Sequence, residues 1–287
     1  FIKTYFIYYK EFFYKMENEN SKLEIFCITN KRLKFLENSP YKLCWVGPLE
    51  VPQNYLRSDT GINIFSKEKY YSELTFQYWY WKNMLDLKNK NWIGFCQKRR
   101  FWSKENNNLN NLDTDVTKNI LINPKKEWEN HESIICDSIF VNDIKKIKMI
   151  KRGYKSLLKN PLPFFLKKKR TIKFHFDMHH GYGNLDKAID VLDNKDRNEF
   201  KNFVNENSSF NPHIMFISKA EIMDKWFQDL FDWLFECEKI FGFKSLKGYD
   251  TTRLYAYLAE RYLSFWFEKY TKTLRWKWIF YESDSST

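Results

Sequence analysis

The stretch Leu23-Glu24-Ile25-Phe26-Cys27-Ile28 is a short apolar run of the kind that forms a buried strand. Residues 41–46 form a second run, which ends at Gly47-Pro48. Residues 92–96 form a third, and residues 213–218 a fourth. Helix-like segments separate these runs. The sequence therefore predicts an α/β fold with a Rossmann-type, mostly parallel sheet and helices on both faces.

Three segments carry apolar residues at helical spacing. The first begins at Ser66, which we expect to be its N-cap, and runs to about Leu87. The second covers residues 219–240. The third runs from Asp250, its expected N-cap, to about Tyr270. The residues expected to line one face are Tyr70, Leu74, Tyr78, Trp81 and Leu85 in the first helix, Ile222, Trp226, Leu230, Leu234 and Cys237 in the second, and Leu254, Leu258, Tyr262 and Phe265 in the third.

Composition excludes several classes of protein. The 287 residues are 43% hydrophobic and 20% aromatic, which is too apolar for a disordered chain. The sequence contains no run of about 18 apolar residues, so no membrane span is predicted. The five cysteines are scattered and include no CxxC pair, so we expect buried thiols in a reducing compartment rather than disulfides or a zinc site.

The net charge of +12 favours an anionic partner, which can be nucleic acid, nucleotide phosphate or an anionic membrane surface. The chain also has only four alanines, as expected of an AT-rich coding sequence, so codon usage accounts for part of the excess. No zinc-finger, RNP-type or basic-helix motif is present. We therefore expect no nucleic-acid partner, and a basic nucleic-acid-binding protein is kept as the competing class of function.

The chain is predicted to contain one folded domain at residues 22–272, with a basic insertion around residues 140–172. Residues 1–21 are interpreted as an extension that is either not native or disordered, with Met16 as the expected start. For residues 1–15 a membrane-surface helix is the alternative. Residues 273–287 are predicted to be an aromatic-basic tail.

Candidate phosphate and metal motifs are few. Neither GxGxxG nor GxxxxGK[ST] occurs. Arg99 and Arg100 follow a predicted strand, at the edge of the sheet where open α/β folds bind ligands, so they are candidates for a diphosphate site. A solvated basic turn is the alternative. Asp113-Thr114-Asp115 has the spacing of a carboxylate pair that holds a divalent metal, but its Asn-rich surroundings favour a solvated turn.

Other polar groups have both a functional and a structural interpretation. His179-His180, with Asp177 and Asp186, are either acid/base or metal groups, or loop residues. Residues 58–63 form a polar turn that either binds a sugar or base or caps the next helix. Exposed rings among residues 78–81 suit stacking on a sugar. Glu260-Arg261 is compatible with an ordinary surface ion pair.

The segments DTGINIFSKEKYYSELTFQYWYWKN (59–83) and WIGFCQKRRFW (92–102) resemble the hallmark of a bacterial glycosyltransferase family. This family is catalogued as domain of unknown function 4422 and is associated with the synthesis of capsular polysaccharide and lipopolysaccharide O-antigen. Later blocks also resemble it, and the similarity covers about residues 22–270. These blocks are His180 through Asp186, HIMFISK (213–219), WFQDLFDWLFECEK (226–239) and RLYAYLAERYLSFW (253–266).

The sequence departs from the family pattern at three places. The His-Tyr that precedes the two arginines is Gln97-Lys98 here. The Asn that opens the later strand is His213, although Asn211 lies close by. Asn119 stands where the family has an aspartate. Donor binding is therefore the firmer expectation, and a non-catalytic sugar- or nucleotide-binding relative is the alternative.

The resemblance implies a GT-A type fold that binds a UDP-sugar at the carboxyl ends of its strands. The implied reaction transfers a hexose, galactose or galactofuranose, onto a growing surface polysaccharide or a polyprenyl-linked glycan. Mn²⁺ or Mg²⁺ is left open as a cofactor, and no metal ligand is assigned. The residues assigned by this resemblance are His180, Asp186 and Glu260 for catalysis, Asp59, Asn63, Tyr78, Trp81, Arg99, Arg100 and Arg261 for the donor, and Asp177, Asn211 and His213 on the acceptor side. The general base is left open among Asp177, His180, Asp186 and Glu260.

The expected location is the cytoplasm. A second hypothesis places the protein at the inner face of the plasma membrane. In that hypothesis the basic stretch from Lys145 to Arg170 and the segment from Leu274 to Trp278 dock on anionic lipid.

Overall fold

The computed structural model describes residues 22–48, 50–106, 113–143 and 145–282. The predicted extension at residues 1–21 and most of the Asn-rich loop lie outside the described residues. The strands are β1 (Leu23–Thr29), β2 (Lys42–Trp45), β3 (Leu56–Arg57), β4 (Trp92–Gln97), β5 (Arg100–Trp102), β6 (Ser133–Cys136), β7 (Ile139–Phe140), β8 (Ser209–Phe210), β9 (Phe216–Ser218), β10 (Thr273–Trp276) and β11 (Trp278–Phe280).

The main sheet has the strand order β10-β6-β9-β4-β1-β2-β3. Neighbours among β4, β1, β2 and β3 are parallel, as are β6 and β10. β9 runs antiparallel between β4 and β6, so these six strands all point the same way. Their carboxyl ends therefore lie along one side of the sheet, which we call the carboxyl edge. The predicted mostly parallel sheet is confirmed.

Helices and turns connect the strands. The α-helices are α1 (Glu68–Tyr71), α2 (Leu74–Asn83), α3 (Lys146–Lys159), α4 (Leu162–Phe165), α5 (Ile172–His180), α6 (Asn184–Asp190), α7 (Asn194–Glu206), α8 (Ala220–Phe241), α9 (Tyr249–Thr252) and α10 (Leu254–Tyr270). The short 3-10 helices are η1 (Lys34–Leu36), η2 (Phe65–Lys67), η3 (Val116–Lys118), η4 (Lys126–Trp128) and η5 (Lys167–Lys169).

The sheet separates two hydrophobic cores, because successive strand residues point to opposite faces. Phe26 and Phe95 face the long helices α2, α8 and α10. Cys27 and Cys96 face the other core, which η1, η3, η4 and connecting loops cover. All five cysteines are buried and free, as the sequence predicts.

Two predicted helices are interrupted. The helix expected from Ser66 to Leu87 breaks at Ser72, whose φ of 54° is left-handed, and Ser66 lies inside η2 rather than capping a helix. The helix expected from Asp250 consists of α9 and α10, with a break at Arg253. Asp250 lies in the first turn of α9 and Gly248 is the N-cap. The apolar residues keep their helical spacing through both breaks, so the sequence pattern did not reveal the breaks.

The predicted domain boundary at residue 272 does not match the structure. Thr273–Trp276 is β10, which pairs with β6, and Trp278–Phe280 is β11, which pairs with β5. The side chains of Trp276 and Ile279 are buried. Burial of these apolar side chains makes the segment part of the sheet rather than a tail.

The predicted basic insertion forms α3, α4 and η5. Met149 of α3 and Phe164 of α4 pack against Phe174 and Met178 of α5, which attaches the insertion to the domain. Among the residues that the structure describes, no helix has the length and hydrophobicity needed to cross a bilayer.

Candidate functional site

Polar and charged residues follow several strands at the carboxyl edge. Asn30 comes after β1, Asp59 lies two residues after β3, and Lys98 comes after β4. The backbone N–H of Lys98 donates to the carbonyl of Ile28 at 3.1 Å, so the turn after β4 lies beside the end of β1. Ligands of open α/β sheets bind along such an edge.

Positive charge is concentrated around Lys98. Its Nζ donates to Oδ1 of Asn30 at 2.5 Å. Burial lowers the pKa of Lys98, and the nearby charges of Arg99, Lys31 and Arg253 lower it further. The neighbouring cations repel one another, and a bound anion would offset this repulsion.

Glu73 is an acidic group whose charge acts on this cluster and to which the sequence analysis assigns no role. It lies between α1 and α2, directly after the left-handed Ser72. Its negative charge acts to raise the pKa of Lys98, against the lowering by burial. The pKa of Glu68 is raised by burial and by the charge of Glu73. The backbone carbonyl of Glu73 accepts from the N–H of Gln77 at 3.3 Å, whereas its carboxylate has no hydrogen-bond or ion-pair partner among the described residues.

The two predicted arginines point to different surroundings. Nη1 of Arg99 donates to Glu282 at 2.8 Å, and the Arg99 side chain is 39% exposed. Arg100 begins β5, and its charge acts on the buried His213. Both guanidinium groups lie within 6.0 Å of the Phe280 ring centre. Both arginines are half-buried beside β11.

His213 lies at the amino end of the β9 segment in a left-handed conformation, with φ of 63°. Its N–H donates to Oε1 of Glu260 at 2.5 Å, and its ring packs edge-on against Trp278. Burial and the positive charge of Arg100 lower the pKa of His213 to about 3. The buried Nε2 has no hydrogen-bond partner among the described residues.

The predicted surface ion pair of Glu260 and Arg261 is wrong, because Arg261 is only 1% exposed. Its guanidinium donates to Glu260 and lies 3.8 Å from the ring centre of Phe210. Its Nη2 lies 3.3 Å from Nδ1 of His175 on α5. Sequence reasoning assigned no helix at residues 172–180, and this is the element that covers Arg261.

Asn211 fixes the end of β6. Its Nδ2 donates to the carbonyl of Cys136 at 2.5 Å, and its backbone N–H donates to Ser264. Asp137, which follows Cys136, accepts from Nζ of Lys277 at 2.9 Å. Asp137 is a further acid at the carboxyl edge. It was missed because β6 was missed, although the run SIIC before an acid was the available signal.

Asp177 and Asp186 are held by one lysine. Nζ of Lys173 lies 2.7 Å from Asp177 and 2.8 Å from Asp186. Asp177 also accepts from the backbone N–H of Gly183 at 3.0 Å. Burial raises the pKa of Asp177. These contacts assign both carboxylates to closing the turn between α5 and α6.

His180 is a buried, neutral imidazole. Its ring stacks on Tyr257 with centres 3.8 Å apart. Nδ1 lies 2.7 Å from the carbonyl of Asp250, and because a carbonyl only accepts, Nδ1 carries the proton. Burial and then the charge of Arg261 hold the pKa of His180 well below its usual value.

The predicted donor residues of the polar turn hold the turn itself. Asp59 pairs with Arg57 at 2.5 Å, and the hydrogen bond from Arg57 lowers the pKa of Asp59. Asn63 accepts from the N–H of Phe65 and donates to the carbonyl of Gly61.

Asn83, the last residue of α2, connects the helix to this turn. Its side chain accepts from the N–H of Ile62 and donates to the carbonyls of Ile62 and Trp79. Gly61 has φ of +56°, and a Cβ there would lie 2.2 Å from Oδ1 of Asn83. The turn therefore requires glycine at this position.

Tyr78 and Trp81, predicted to shape a sugar pocket, instead pack against α8. Tyr78 lies edge-on to Phe231, and Trp81 stacks on the same ring. Nε1 of Trp81 donates to Asp224 at 2.7 Å. The other face of α2 is buried against the sheet, so aromatic side chains fill both helix interfaces.

The residues that the structure describes include no group of three histidine, cysteine or acidic side chains arranged to hold a metal ion. Asp115 accepts from the N–H of Thr117 as the N-cap of η3. Asp113 accepts from the N–H of Asp115 and pairs with Lys118 at 3.3 Å. Both carboxylates are exposed, as in the predicted solvated turn.

Comparison with known proteins gives two matches. A family model described as "Domain of unknown function (DUF4422)" matches residues 24–272. The fold is similar to the apo structure of the WbbM bifunctional glycosyltransferase, with a TM-score of 0.68 and 19% identity. That match covers 92% of this chain and 46% of the solved chain, so this chain spans about half its length. No curated protein matches.

Proposed function

The chain belongs to the DUF4422 family, and on this premise we propose that it is a glycosyltransferase of GT-A type that takes its sugar from a UDP-sugar. Its fold, which is similar to that of a bifunctional glycosyltransferase, supports the proposal. We further propose that the sugar is a hexose, galactose or galactofuranose, and that the acceptor is a growing surface polysaccharide or a polyprenyl-linked glycan.

The cationic cluster at the carboxyl edge carries this proposal. Transfer of a sugar releases a nucleoside diphosphate, so the enzyme must stabilise negative charge that develops on the leaving group. Lys31 follows β1, and Lys98 and Arg99 follow β4. Arg253, at the break between α9 and α10, adds a further positive charge that acts on Lys98. In our proposal Lys98 and Arg99 hold the diphosphate, and Arg99 exchanges its exposed partner Glu282 for phosphate oxygens.

Glu73 is our proposed general base. The acceptor hydroxyl must lose a proton as it attacks, and a carboxylate near the diphosphate site is suited to take it. Of the four groups considered from sequence, Asp177 and Asp186 are bound to Lys173, and Glu260 is bound to Arg261 and His213. The fourth, His180, is buried, and its ring is stacked on Tyr257. Glu73 has no such partner among the described residues.

The strained backbone before Glu73 supports this role. Ser72 has φ of 54° and is buried, and non-glycine residues adopt such angles at a cost of about 1 kcal/mol or more. The break at Ser72 ends α1 and places Glu73 at the start of α2, where its charge acts on Lys98. A regular helix through this position would turn the carboxylate elsewhere.

Calorimetric titration with UDP, GDP and CMP, each with and without Mn²⁺, tests the donor site. We expect selective binding of UDP, and its dependence on Mn²⁺ measures what a metal contributes. Failure of all three nucleotides to bind would overturn the proposed donor site.

A non-catalytic nucleotide-binding relative is the second candidate. Gln97 stands where the family pattern has histidine, and Gln97 is buried at the end of β4. Release of UDP from UDP-galactose or UDP-galactofuranose, with a glycan acceptor present, distinguishes the two. Binding of UDP without any turnover of the donor would favour the relative.

A further inference from the structure

The segment of residues 145–170 exposes an unusual number of large apolar side chains. Leu158 is 81% exposed, Phe165 71% and Ile147 69%. The full set is Ile147, Ile150, Tyr154 and Leu158 on α3, Leu162 and Phe165 on α4, and the adjacent Leu166. Contiguous exposure of this kind is typical of an interaction surface.

The exposed apolar residues of α3 form one stripe along the helix. Ile147, Ile150, Tyr154 and Leu158 are separated by three, four and four positions, which places them on one helix face. The opposite face is buried through Met149, Gly153 and Ser156.

Contact with α5 fixes the direction of the stripe. A Cβ on Gly153 would lie 2.1 Å from Cγ of Met178, so the Met178 side chain of α5 packs directly on the backbone of α3. Because α5 holds the buried face, the apolar stripe points away from the protein.

Cationic side chains flank this stripe. Residues 145–170 contain eleven lysines and arginines and no acidic residue. The formal charge of this segment is therefore +11, compared with +12 for the whole chain. Lys151, Lys155 and Lys159 follow one another at intervals of four, each one position after a member of the stripe, and all three are exposed. They therefore line one side of it.

We propose that the surface formed by α3, α4 and η5 docks on a bilayer containing anionic lipid. Exposed leucine, isoleucine and phenylalanine side chains insert at the boundary of headgroups and acyl chains. The lysines contact the acidic headgroups through side chains whose aliphatic stems cover apolar surface. Single-stranded RNA would satisfy the lysines but leave the aliphatic stripe in water, so a lipid surface accounts for both features.

One of the two segments in the membrane hypothesis is not available for docking. The segment from Leu274 to Trp278 contributes to β10 and β11, with Trp276 buried, so it is committed to the sheet. Docking through α3 and α4 does not depend on the proposed glycosyltransferase activity.

Co-sedimentation with vesicles tests the proposal. The full chain is mixed with vesicles of phosphatidylcholine alone or with about one-third phosphatidylglycerol, at low and high salt. One variant, Ile150→Gln with Tyr154→Gln and Leu158→Gln, removes the stripe. A second, Lys151→Gln with Lys155→Gln and Lys159→Gln, removes the charge. A matched control replaces the exposed lysines Lys88, Lys126 and Lys201 with Gln.

We expect the wild-type chain and the control to bind anionic vesicles and to ignore neutral ones. Loss of three lysines should weaken binding about a hundredfold, given roughly fivefold for each lysine near an anionic surface. Loss of the stripe should weaken it by a similar factor.

Three results would overturn the proposal: no binding of the wild-type chain to anionic vesicles, equal binding of both variants and wild type, or equal weakening in the control. Tighter binding to single-stranded RNA that ignores loss of the stripe would also overturn it. Circular dichroism checks that each variant folds, and UDP titration of the same samples reports on the donor site separately.

Discussion

Nζ of Lys98 donates to Oδ1 of Asn30 at 2.5 Å, which joins the first residue after β4 to the first residue after β1. Both strands are central in the sheet, and their ends are adjacent at the carboxyl edge. The hydrogen bond fixes an ammonium group at the position where the proposed diphosphate binds. A lysine at this point departs from the family pattern, so its contribution can be measured in this chain.

Replacing Lys98 with Gln should weaken binding of UDP about tenfold, which corresponds to about 1.4 kcal/mol. Glutamine keeps a donor for Asn30 but removes the charge that faces the phosphates. Uridine, which has no phosphate, should be unaffected. Calorimetry with both ligands measures the difference, with Lys88→Gln as the control for a loss of surface charge. An equal loss for uridine would show that the effect is structural.

As the pH is raised, UDP binding should begin to weaken at a lower pH than it would with an exposed lysine in this position. Burial and neighbouring cations lower the pKa of Lys98, so it loses its proton at a lower pH than an exposed lysine. Arginine stays charged throughout this range. In Lys98→Arg the alkaline decrease in UDP affinity should therefore move to higher pH, and titrations between pH 7 and 10 test this. An unchanged profile would assign the decrease to another group.

Glu73→Gln should lower kcat at least about a hundredfold and leave the Kd for UDP within about twofold, as expected when a general base is removed. Steady-state rates with donor and acceptor, combined with calorimetry, separate the two effects. Glu206→Gln, an exposed change on α7, is the matched control. A variant that retains full activity would exclude Glu73 as the base.

His213 should make the fold sensitive to acid. Its pKa is lowered to about 3 in the folded chain, whereas an unfolded histidine has a pKa of about 6.5. The unfolded state therefore binds more protons between these values, and stability is lost as the pH falls through this window. His213→Asn should reduce the loss between pH 7 and 4.5 by about 2 kcal/mol, because asparagine tolerates the left-handed backbone and does not titrate.

Urea unfolding at the two pH values measures this difference, and His131→Asn provides the comparison. An equal loss of stability in wild type and His213→Asn would contradict the assignment.

Gly61→Ala should destabilise the chain more than Gly242→Ala. Both glycines have φ near +55°, so both alanines have the same backbone penalty of about 1–2 kcal/mol. Only at residue 61 does the new Cβ meet a side chain, that of Asn83, which should add about 1–3 kcal/mol.

Thermal or urea unfolding measures both variants. Combining Gly61→Ala with Asn83→Ala should remove the clash, so the two changes together should cost less than the sum of their separate effects. Strict additivity would show that the turn relaxes without contact with Asn83.

The sequence predicted strands in which apolar residues predominate. β1, β2 and β4 are buried on both faces and were expected within one or two residues of their observed bounds. β10 was missed because Arg275 interrupts its apolar pattern. β6 was missed although its sequence SIIC is buried throughout and was an available signal. Short or mixed strands are recognised through their neighbours in the sheet, which a linear pattern does not contain.

The candidate site was predictable where it depends on the end of a strand. Arg99 and Lys98 follow an obvious strand, so their position at the carboxyl edge could be expected. Glu73 was assigned to the interior of a continuous helix, because nothing in the apolar spacing reveals the left-handed Ser72. The burial of Arg261 depends on α5, which joins it only in three dimensions.

The strand order also constrains how this chain folds during synthesis. β10 pairs with β6, about 140 residues earlier, and β11 pairs with β5, about 180 residues earlier. A nascent chain that ends before residue 273 leaves β6 with an open edge and β5 without its second neighbour. Such pairings between distant segments form slowly and expose unpaired strands meanwhile. On the ribosome, the sheet is therefore completed only after residue 280 has left the exit tunnel.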